Sequence, residues 1–417
     1  MGLAFGAAAQ AQDQSSDIAF AVSTGNKQVY IGGQAVGPIP PNQTYQGGAG
    51  DSFLQAFNQN GKLQWTAEFG SSGQDWANGV ASDSTGVYAA GLTGEPGFAG
   101  QTYYGGTDAY LAKYSLTGTQ LWLHEFGTAG DDRLQAAVSD GTYVYVTGYA
   151  SASLYGQPFA GEEDCIAQKW DQNGNLLWTT EFGTPGTERC YGIAVNSMGV
   201  FVTGRTDGTF SGQKSEGEED ALVTMLDLNG NQIWLEQFGT PYADRGWGIA
   251  TDSTGIYVTG RTEGVFGTTQ YLGLNDDNAY TAKFSYSGAM LWVDEFGTPD
   301  FDRGTAAATD STGVYGAGYT SGALPGNVNY GYKDCYIAKW NTAGGPLWTV
   351  QFGSNQDDVC WGVATDSTGA YVSGTSGGTL PGQINAKPNG FFLEKFDVNG
   401  NSLWTREIEV PAASGAK

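Results

Sequence analysis

The stretch from Asp220 to Gly260, DALVTMLDLNGNQIWLEQFGTPYADRGWGIATDSTGIYVTG, contains a pattern that the chain repeats at least six times. Its tryptophan recurs at intervals of 57, 56, 56, 58, 56 and 56 residues, as Trp65, Trp122, Trp178, Trp234, Trp292, Trp348 and Trp404. Seven such units use nearly all of the 417 residues. Because one unit cannot bury its apolar face alone, this period indicates a single array of stacked units.

Each unit contains four short segments with the period-two alternation and the β-branched or aromatic residues of strands. In the fourth unit the predicted strands are Gly192 to Val195, Val200 to Gly204, Ala221 to Leu226 and Gln232 to Phe238. Four-residue turns that end in glycine join the first strand to the second and the third to the fourth, as is common in hairpins. No segment has a helical pattern, so the chain is predicted to be all-β.

Four antiparallel strands repeated seven times predict a seven-bladed β-propeller of four-stranded antiparallel blades, which leaves only short sheet edges exposed. Runs such as GVASD and GIATD carry small residues, so we place the first strand innermost and the tryptophan strand outermost, against the next blade. The alternative is a β-solenoid, whose coils are usually shorter. The predicted blades begin near Ile18, Trp76, Arg133, Arg189, Arg245, Arg303 and Val359.

The repeated pattern resembles a known family. The motifs D-A-Y-L-A-K-Y, G-x-x-L-W-x-x-E-F-G and D-x-x-G-V-Y-V-T-G are similar to the bacterial seven-bladed β-propeller repeat, or SBBP repeat, over roughly residues 17 to 408. The resemblance implies a secreted or cell-surface bacterial protein and no catalytic residues. The last unit departs from the pattern at Gly390 and at Arg406 to Ile408, which suits a terminal blade.

Charge and termini limit the partners. With 43 acids and 18 bases the net charge is −25, which disfavours nucleic acid. No apolar run reaches the roughly 18 residues of a membrane span. Residues 1–16 resemble the remnant of a signal peptide or a disordered N-terminus, although no basic residue precedes Lys27. We expect one propeller over 17–410, a disordered tail over 411–417, and an exported monomer in the periplasm, at the cell surface or outside the cell.

Cysteine occupies two slots of the repeat together or not at all. Cys165 and Cys190 are 25 residues apart, and so are Cys335 and Cys360. This pattern predicts that the two slots touch, and it favours two disulfides in an exported protein. The alternative is a pair of buried, reduced thiols; a metal site is disfavoured because no histidine or third cysteine accompanies either pair.

Acids and arginines also recur at a fixed spacing. Four predicted inter-blade ion pairs join the third strand of one blade to the first strand of the next: Asp108–Arg133, Asp164–Arg189, Asp220–Arg245 and Asp277–Arg303. The first three spacings are 25 residues and the last is 26. An arginine ring that binds an anionic ligand near the axis is the functional alternative. A second acid series, including Asp75 and Asp132, is predicted to anchor loops.

No catalytic motif stands out. The single histidine, His124, lies on a predicted outer strand, which excludes histidine triads and multi-histidine metal centres. A carboxylate pair could serve a glycosidase or lyase near the axis, but 43 acids make that signal unspecific. A catalytic centre should also break the repeat, and no blade does so sharply. Enzymatic activity is therefore an open alternative.

The long loops between the second and third strands vary most. They carry the predicted ligand-binding aromatics Tyr103, Tyr104, Tyr155, Phe210, Tyr271 and Tyr330, together with acid clusters. Variable loops on a rigid scaffold are where binding residues concentrate. We expect a non-catalytic binding or scaffold module that takes a glycan or protein on the long-loop face. No cofactor is predicted; calcium is conceivable at the acid clusters, although no calcium-loop motif occurs.

Overall fold

A computed structural model shows a ring of seven blades, each built from four consecutive antiparallel strands. The structure describes residues 16–40, 43–266, 277–383 and 389–408. Every regular element among them is a strand. Blades 1 to 4 contain β1 Ile18–Gly25, β2 Gln28–Ala35, β3 Asp51–Asn58, β4 Leu63–Phe69; β5 Asp75–Asp83, β6 Gly86–Gly94, β7 Thr107–Tyr114, β8 Gln120–Phe126; β9 Arg133–Ser139, β10 Tyr143–Ala150, β11 Asp164–Asp171, β12 Leu176–Phe182; β13 Glu188–Asn196, β14 Gly199–Thr206, β15 Asp220–Leu226 and β16 Gln232–Phe238.

The remaining three blades follow the same order. They contain β17 Asp244–Asp252, β18 Gly255–Thr262, β19 Asn278–Phe284, β20 Met290–Phe296; β21 Asp302–Asp310, β22 Gly313–Thr320, β23 Asp334–Trp340, β24 Pro346–Phe352; β25 Asp358–Asp366, β26 Gly369–Ser376, β27 Gly390–Phe396 and β28 Ser402–Ile408. The predicted propeller and the predicted blade starts are confirmed, with first strands beginning within one residue of the expected positions. The predicted leader remnant and tail lie almost wholly outside the described residues.

The innermost strands approach one another closely around the axis, which explains their small residues. A Cβ added at Gly248 would lie 2.5 Å from the backbone nitrogen of Ala307 on the next blade. Each blade buries one sheet face against its neighbour, so the core is a series of apolar layers between blades. Tyr30, Tyr88, Tyr145 and Tyr257 are among the fully buried side chains of these layers.

The outer-strand tryptophans join each blade to the next. All seven indole N–H groups donate to a backbone carbonyl in the turn between the third and fourth strands of the following blade, over 2.9–3.4 Å. That turn ends in a glycine with positive φ, on which a side chain would collide with the ring; at Gly400 an added Cβ would lie 2.9 Å from Trp348. The predicted wedge of the tryptophan strand against its neighbour is therefore confirmed.

Five lysines, of which four are buried and Lys169 is partly buried, strengthen the same contacts. Each lies opposite a tryptophan and donates to the carbonyl that also accepts the indole N–H; Lys339 and Trp348, for example, both donate to Val398 at 3.1 Å. The five are Lys113, Lys169, Lys283, Lys339 and Lys395. Their ammonium groups also lie 4.0–5.3 Å from tyrosine ring centroids. These hydrogen bonds and ring contacts compensate for the free-energy cost of removing the ammonium groups from water.

The ring closes without an exchanged strand. Blade 7 meets blade 1 through the same bonds that link the other blades: Trp404 donates to the Gln59 carbonyl at 3.2 Å, and the Asp17 amide donates to the Asn389 carbonyl at 3.1 Å. The corresponding backbone bond at the other six junctions measures 2.7–2.8 Å, as from Asp244 to Glu219. Closure therefore depends on side-chain packing and single hydrogen bonds.

We expect Trp404→Ala to lower the free energy of unfolding by about 2–4 kcal/mol, because it removes a half-buried indole and the closing hydrogen bond. Leu403→Ala is the matched control, since this neighbouring side chain is exposed and surface changes usually stay within about 0.5 kcal/mol. Urea denaturation of both variants measures the difference. Equal stability of the two variants would contradict the closing role of Trp404.

The two cysteine pairs occupy equivalent places but differ in state. Cys165 on β11 is bonded to Cys190 on β13, across the junction of blades 3 and 4, so the predicted contact and the first bridge are present. Cys335 and Cys360 lie at the matching places of blades 6 and 7, fully buried, as free thiols. The prediction of a second disulfide, between Cys335 and Cys360, is therefore wrong. Burial raises the pKa of both thiols, which disfavours the thiolate that oxidation requires.

We expect non-reducing peptide mapping to recover the Cys165–Cys190 link. Alkylation of the folded protein should leave Cys335 and Cys360 unmodified because both are buried. After denaturation without reductant, mass spectrometry should then find two alkylated cysteines. Four modified cysteines, or none, would contradict the assignment of one bridge and two thiols.

Candidate functional site

The long loops and the blade-to-blade connections lie on one face of the ring, which we call the long-loop face. Two series of buried carboxylates hold it together. In one, each acid accepts a backbone N–H four residues earlier in its own connection, as Asp244 does from Thr240 at 2.6 Å. This series was predicted to anchor loops, and that prediction is confirmed. Its members are Asp75, Asp132, Glu188, Asp244, Asp302 and Asp358.

The other series corrects the predicted ion pairs. Asp108, Asp164 and Asp220 begin third strands and accept backbone N–H groups of the long loops, Asp164 from Ala160 at 2.7 Å. They therefore lie inside the loop base, away from the arginines. Arg189 instead binds Glu163, Arg245 binds Glu219 at 2.6 Å, and Arg133 lies 3.8 Å from Asp131. The partners of Arg189 and Arg245 are one residue before the predicted aspartates because the acid that faces the next blade precedes the third strand, whereas Asp131 lies in the connection that leads to the strand of Arg133.

The Asp277–Arg303 pair is present in the structure, with the Nε of Arg303 donating to Asp277. In blade 5 the third strand begins at Asn278, so Asp277 occupies the place of Glu163 and Glu219. Both Glu163–Arg189 and Glu219–Arg245 have the 26-residue spacing that Asp277–Arg303 shows in the sequence. The 26-residue spacing, which the sequence analysis gave only for the fourth pair, is thus the spacing of the ion pairs at all three junctions.

Carboxyl pairs lie beneath the long loops of blades 1 to 3. In blades 4 and 6 the amide of a glutamine on the fourth strand donates to the strand-start aspartate: Gln237 to Asp220 at 2.7 Å, and Gln351 to Asp334 at 2.8 Å. Blades 1, 2 and 3 have glutamate in the glutamine place: Asp51 with Glu68, Asp108 with Glu125, and Asp164 with Glu181. One buried oxygen of each of these six carboxyls lacks a hydrogen-bond partner. In blade 2 a hydrogen bond joins Asp108 and Glu125, so a proton lies between the two acids, and we expect the equivalent acids of blades 1 and 3 to share a proton in the same way.

Burial raises the pKa of these glutamates, and the neighbouring aspartate adds to the effect. The pKa of Glu68, Glu125 and Glu181 is raised to about 7. Because the folded pKa exceeds the unfolded value of about 4.3, the folded protein binds more protons than the unfolded chain between these values. Stability therefore rises as the pH falls through 7, and the gain is complete below about 4.3.

We expect the melting temperature to be higher at pH 5.5 than at pH 8, measured by calorimetry. Glu125→Gln and Glu181→Gln should each raise stability at pH 8 by about 1–3 kcal/mol, because the amide reproduces the Gln351–Asp334 bond. Each should also flatten the pH dependence. Glu162→Gln, at an exposed acid, is the control for the loss of one charge. A pH slope in Glu125→Gln as steep as in the wild type would contradict the shared proton.

The predicted ligand-binding aromatics do not form one cluster. Tyr104, Tyr155 and Tyr330 are about half exposed, at 50%, 55% and 49%. Tyr103 is half-buried, and its hydroxyl donates to the Gly106 carbonyl at 2.6 Å. Tyr271 lies outside the described residues. The exposed tyrosines are available to a ligand but belong to separate loops.

Phe210 is corrected to a structural role. Its ring packs 6.4 Å from that of Phe182, and its backbone N–H donates to Gln237 on the fourth strand at 3.1 Å. The equivalent loop residues of other blades, among them Phe98, Leu154 and Leu324, are buried and make the same backbone bond. Phe210 thus holds its loop against the blade, because a side chain at this place inserts between the strands.

A ring of side chains that sequence reasoning missed surrounds the axis just below this face. All seven first strands have a β-bulge at the same place, where one residue is left unpaired. A bulge redirects the side chain of the extra residue, here into the axial channel. We call these residues the bulge ring: Phe20, Asn78, Gln135, Tyr191, Trp247, Thr305 and Trp361.

The bulge ring lines a cavity of about 200 Å³ at the axial mouth, and its members vary from blade to blade although the backbone repeats. The rings of Tyr191 and Trp247 stack with their centroids 4.3 Å apart, across the junction of blades 4 and 5. The rings of Phe20 and Trp361 lie 6.2 Å apart, across the junction of blades 7 and 1. The indole N–H of Trp247 is buried without a partner among the described residues. The mouth thus offers aromatic surface together with the Trp247 N–H and the Gln135 amide, whereas Asn78 and Thr305 donate to carbonyls of the next blade, Leu134 at 3.0 Å and Cys360 at 2.7 Å.

The opposite end of the channel is different. There Thr24 donates to the Thr365 carbonyl, Thr365 to that of Thr309, and Thr309 to that of Thr251, over 2.7–3.1 Å. Hydroxyls that are used between blades are not available to a ligand. The two ends of the channel therefore serve different purposes, and the mouth on the long-loop face is the candidate site.

Among the described residues, no three histidine, cysteine, aspartate or glutamate side chains converge in a geometry that could hold a metal ion. The helix search finds no candidate membrane-crossing helix in the same residues.

No family model matches the chain. The regulatory protein FlaEY of Caulobacter vibrioides is 24% identical over 342 residues, which are 79% of this chain and 32% of that protein. The chain thus spans about a third of the length of this relative.

Solved structures with similar folds include two WD40 domains and a phage enzyme. The Pan2 WD40 domain of Neurospora crassa has a TM-score of 0.46 at 12% identity, covering 86% of this chain and 92% of that one. The Doa1 WD40 domain has a TM-score of 0.49 at 10% identity, covering 88% and 91%. The phage phi92 endosialidase has a TM-score of 0.48 at 8% identity, covering 97% and 70%. Identities this low say nothing about activity.

Proposed function

We propose that this protein is an exported, non-catalytic binding module that takes a glycan at the axial mouth of its long-loop face. The bulge ring carries this proposal: seven bulges direct four aromatic and three amide or hydroxyl side chains to one mouth. Aromatic faces pack on the apolar faces of sugars, and amide and N–H groups bind hydroxyls. The ring contains no carboxylate, imidazole or thiol, which favours binding over catalysis.

The rigid ring suits this task. Ligand sites are usually concave and preformed, with a few polar groups that fix orientation. Here the inter-blade bonds fix the backbone, so the bulge-ring side chains can vary without loss of the fold. The exposed loop tyrosines form separate surfaces away from the mouth: the ring of Tyr155, for example, lies 6.2 Å from that of Phe126 on an outer strand.

Export and membership of the SBBP repeat family belong to the same proposal. The Cys165–Cys190 bridge supports an oxidising compartment. The signal-like N-terminal sequence supports the same location. A secreted or surface-bound bacterial propeller would meet extracellular polysaccharide directly.

We expect the purified protein to bind a subset of an immobilised oligosaccharide panel. Trp247→Ala and Trp361→Ala should each weaken that binding about tenfold, because an aromatic contact contributes roughly 0.5–1.5 kcal/mol. Ile233→Ala, at an exposed perimeter position of the outer strand, is the control and should bind as the wild type does. Melting temperatures establish that the variants fold.

A protein partner is the competing outcome. If no oligosaccharide binds, or if binding survives in both tryptophan variants while loop changes such as Tyr155→Ala abolish it, the axial-mouth proposal is wrong. Loss only in short-turn variants such as Asp310→Ala would instead place the ligand on the opposite face.

A further inference from the structure

Six of the seven arginines in the chain lie on the first and second strands of blades 3 to 6, and the four on first strands are two residues before a bulge-ring residue. They occupy two facing places, one on the first strand and one on the second, where Arg189 pairs with Arg205 and Arg245 with Arg261. We call them the arginine sector: Arg133, Arg189, Arg205, Arg245, Arg261 and Arg303. In blades 1, 2 and 7 the same places hold uncharged residues, such as Trp76 and Val359. Positive charge is thus confined to one side of the mouth.

The sector contains more cations than its ion pairs neutralise. Glu219 binds both Arg205, at 2.8 Å, and Arg245, at 2.6 Å, so one acid serves two guanidinium groups. Asp277 is likewise shared, by Arg261 and Arg303. A ladder of inter-blade ion pairs with a purely structural role would need one acid for each arginine.

At the junction of blades 6 and 7, a lysine occupies the place that an acid has at the earlier junctions. Lys333 occupies the place of Glu163 and Glu219, with its ammonium 5.4 Å from the Tyr319 ring. Seven cations therefore face five ion-paired acids, Asp131, Glu163, Glu219, Glu263 and Asp277. The shared acids therefore leave guanidinium donors for an anionic ligand.

The sector is continuous with the aromatic part of the mouth. Arg205 donates through Nε to the Tyr191 hydroxyl at 3.3 Å, and Tyr191 stacks on Trp247. The Nε of Arg133 is buried without a partner among the described residues, as is the Trp247 indole N–H. Buried donors without partners are rare in proteins, and their concentration at one mouth indicates a ligand that accepts hydrogen bonds.

We propose that the axial mouth selects acidic glycans: a sugar ring packs on the bulge-ring aromatics while its carboxylate is bound by the arginine sector. This inference rests on the proposed glycan binding and adds the charge of the ligand. Guanidinium groups bind carboxylates through paired, charge-assisted hydrogen bonds. The cavity of about 200 Å³ is smaller than most ligand pockets, so one uronic-acid unit fills it and the neighbouring units lie on the rim.

Titration calorimetry with oligogalacturonate and oligoalginate tests the inference, with the carboxyl-reduced forms of both as neutral probes. We expect the acidic forms to bind at least tenfold more tightly, and the difference to shrink at high salt. Arg245→Gln should remove about 10–100-fold of the affinity for the acidic forms and leave the neutral forms unchanged. Glu219 retains Arg205 in this variant, so no acid is left without a partner.

Arg406→Gln is the matched control, because Arg406 is the seventh arginine and lies on the outer strand of blade 7. It should leave both affinities unchanged. Equal binding of acidic and neutral forms, with Trp247→Ala still reducing both, would overturn the charge preference and leave the proposed glycan site standing. Binding of polyglutamate in place of the uronates, with the same dependence on Arg245, would overturn the glycan in favour of an acidic peptide. Failure of the uronates to bind at about 1 mM would also overturn it.

Discussion

The fold depends on one contact made seven times: an indole on the outer strand of one blade pressed against a glycine turn of the next. The contact combines a hydrogen bond to a carbonyl with a ring face that only glycine allows to approach. At five junctions a buried or partly buried lysine donates to the same carbonyl. Since the ring closes without an exchanged strand, blade 1 and blade 7 are held by no stronger device than their neighbours. The period of the sequence is therefore the period of this contact.

Because the outer strands hold the blades together, residues near the axis can differ from blade to blade. The backbone of each first strand forms the same bulge, yet the residue at the bulge ranges from Asn78 to Trp361. Backbone and tryptophan hydrogen bonds at every junction determine the position of the strand, so the bulge accommodates different side chains, of which Asn78 and Thr305 add a hydrogen bond to the next blade. Variation within a repeated backbone is what a binding surface on a rigid scaffold requires.

Much of the fold could be predicted from the sequence, because the sequence repeats one four-stranded unit seven times. The period gave the number of blades, and the small residues of runs such as 248–252 identified the innermost strand. The paired occurrence of cysteine correctly predicted that Cys165 touches Cys190, and that its slots touch in blades 6 and 7. Whether a buried pair is oxidised depends on access and thiolate character, which spacing does not reveal.

The candidate site was harder to predict for a definite physical reason. Repeat comparison selects positions that agree between units, whereas the bulge ring consists of positions that disagree. A bulge also shifts the strand by one residue, so alternation assigns the side chain before it to the wrong face. The partner of Arg189 was missed for another reason: Asp164 accepts a backbone N–H of its own loop, so Glu163, which precedes the strand, binds the arginine. The available signal was one position of the repeat that holds six residue types in seven units, flanked mostly by small residues.

The differences between blades also show how the loops are held. The two facing places contain aspartate with glutamine in blades 4 and 6, and Asn278 with Glu295 in blade 5, joined at 3.0 Å. Whichever of the two places holds the amide, its N–H group supplies one hydrogen to the carboxylate at the other place. Blades 1 to 3 contain two acids, so the hydrogen there must be a titratable proton. In blades 4 to 6, where five of the six arginines of the sector lie, an amide hydrogen thus takes the place that the shared proton has in blades 1 to 3.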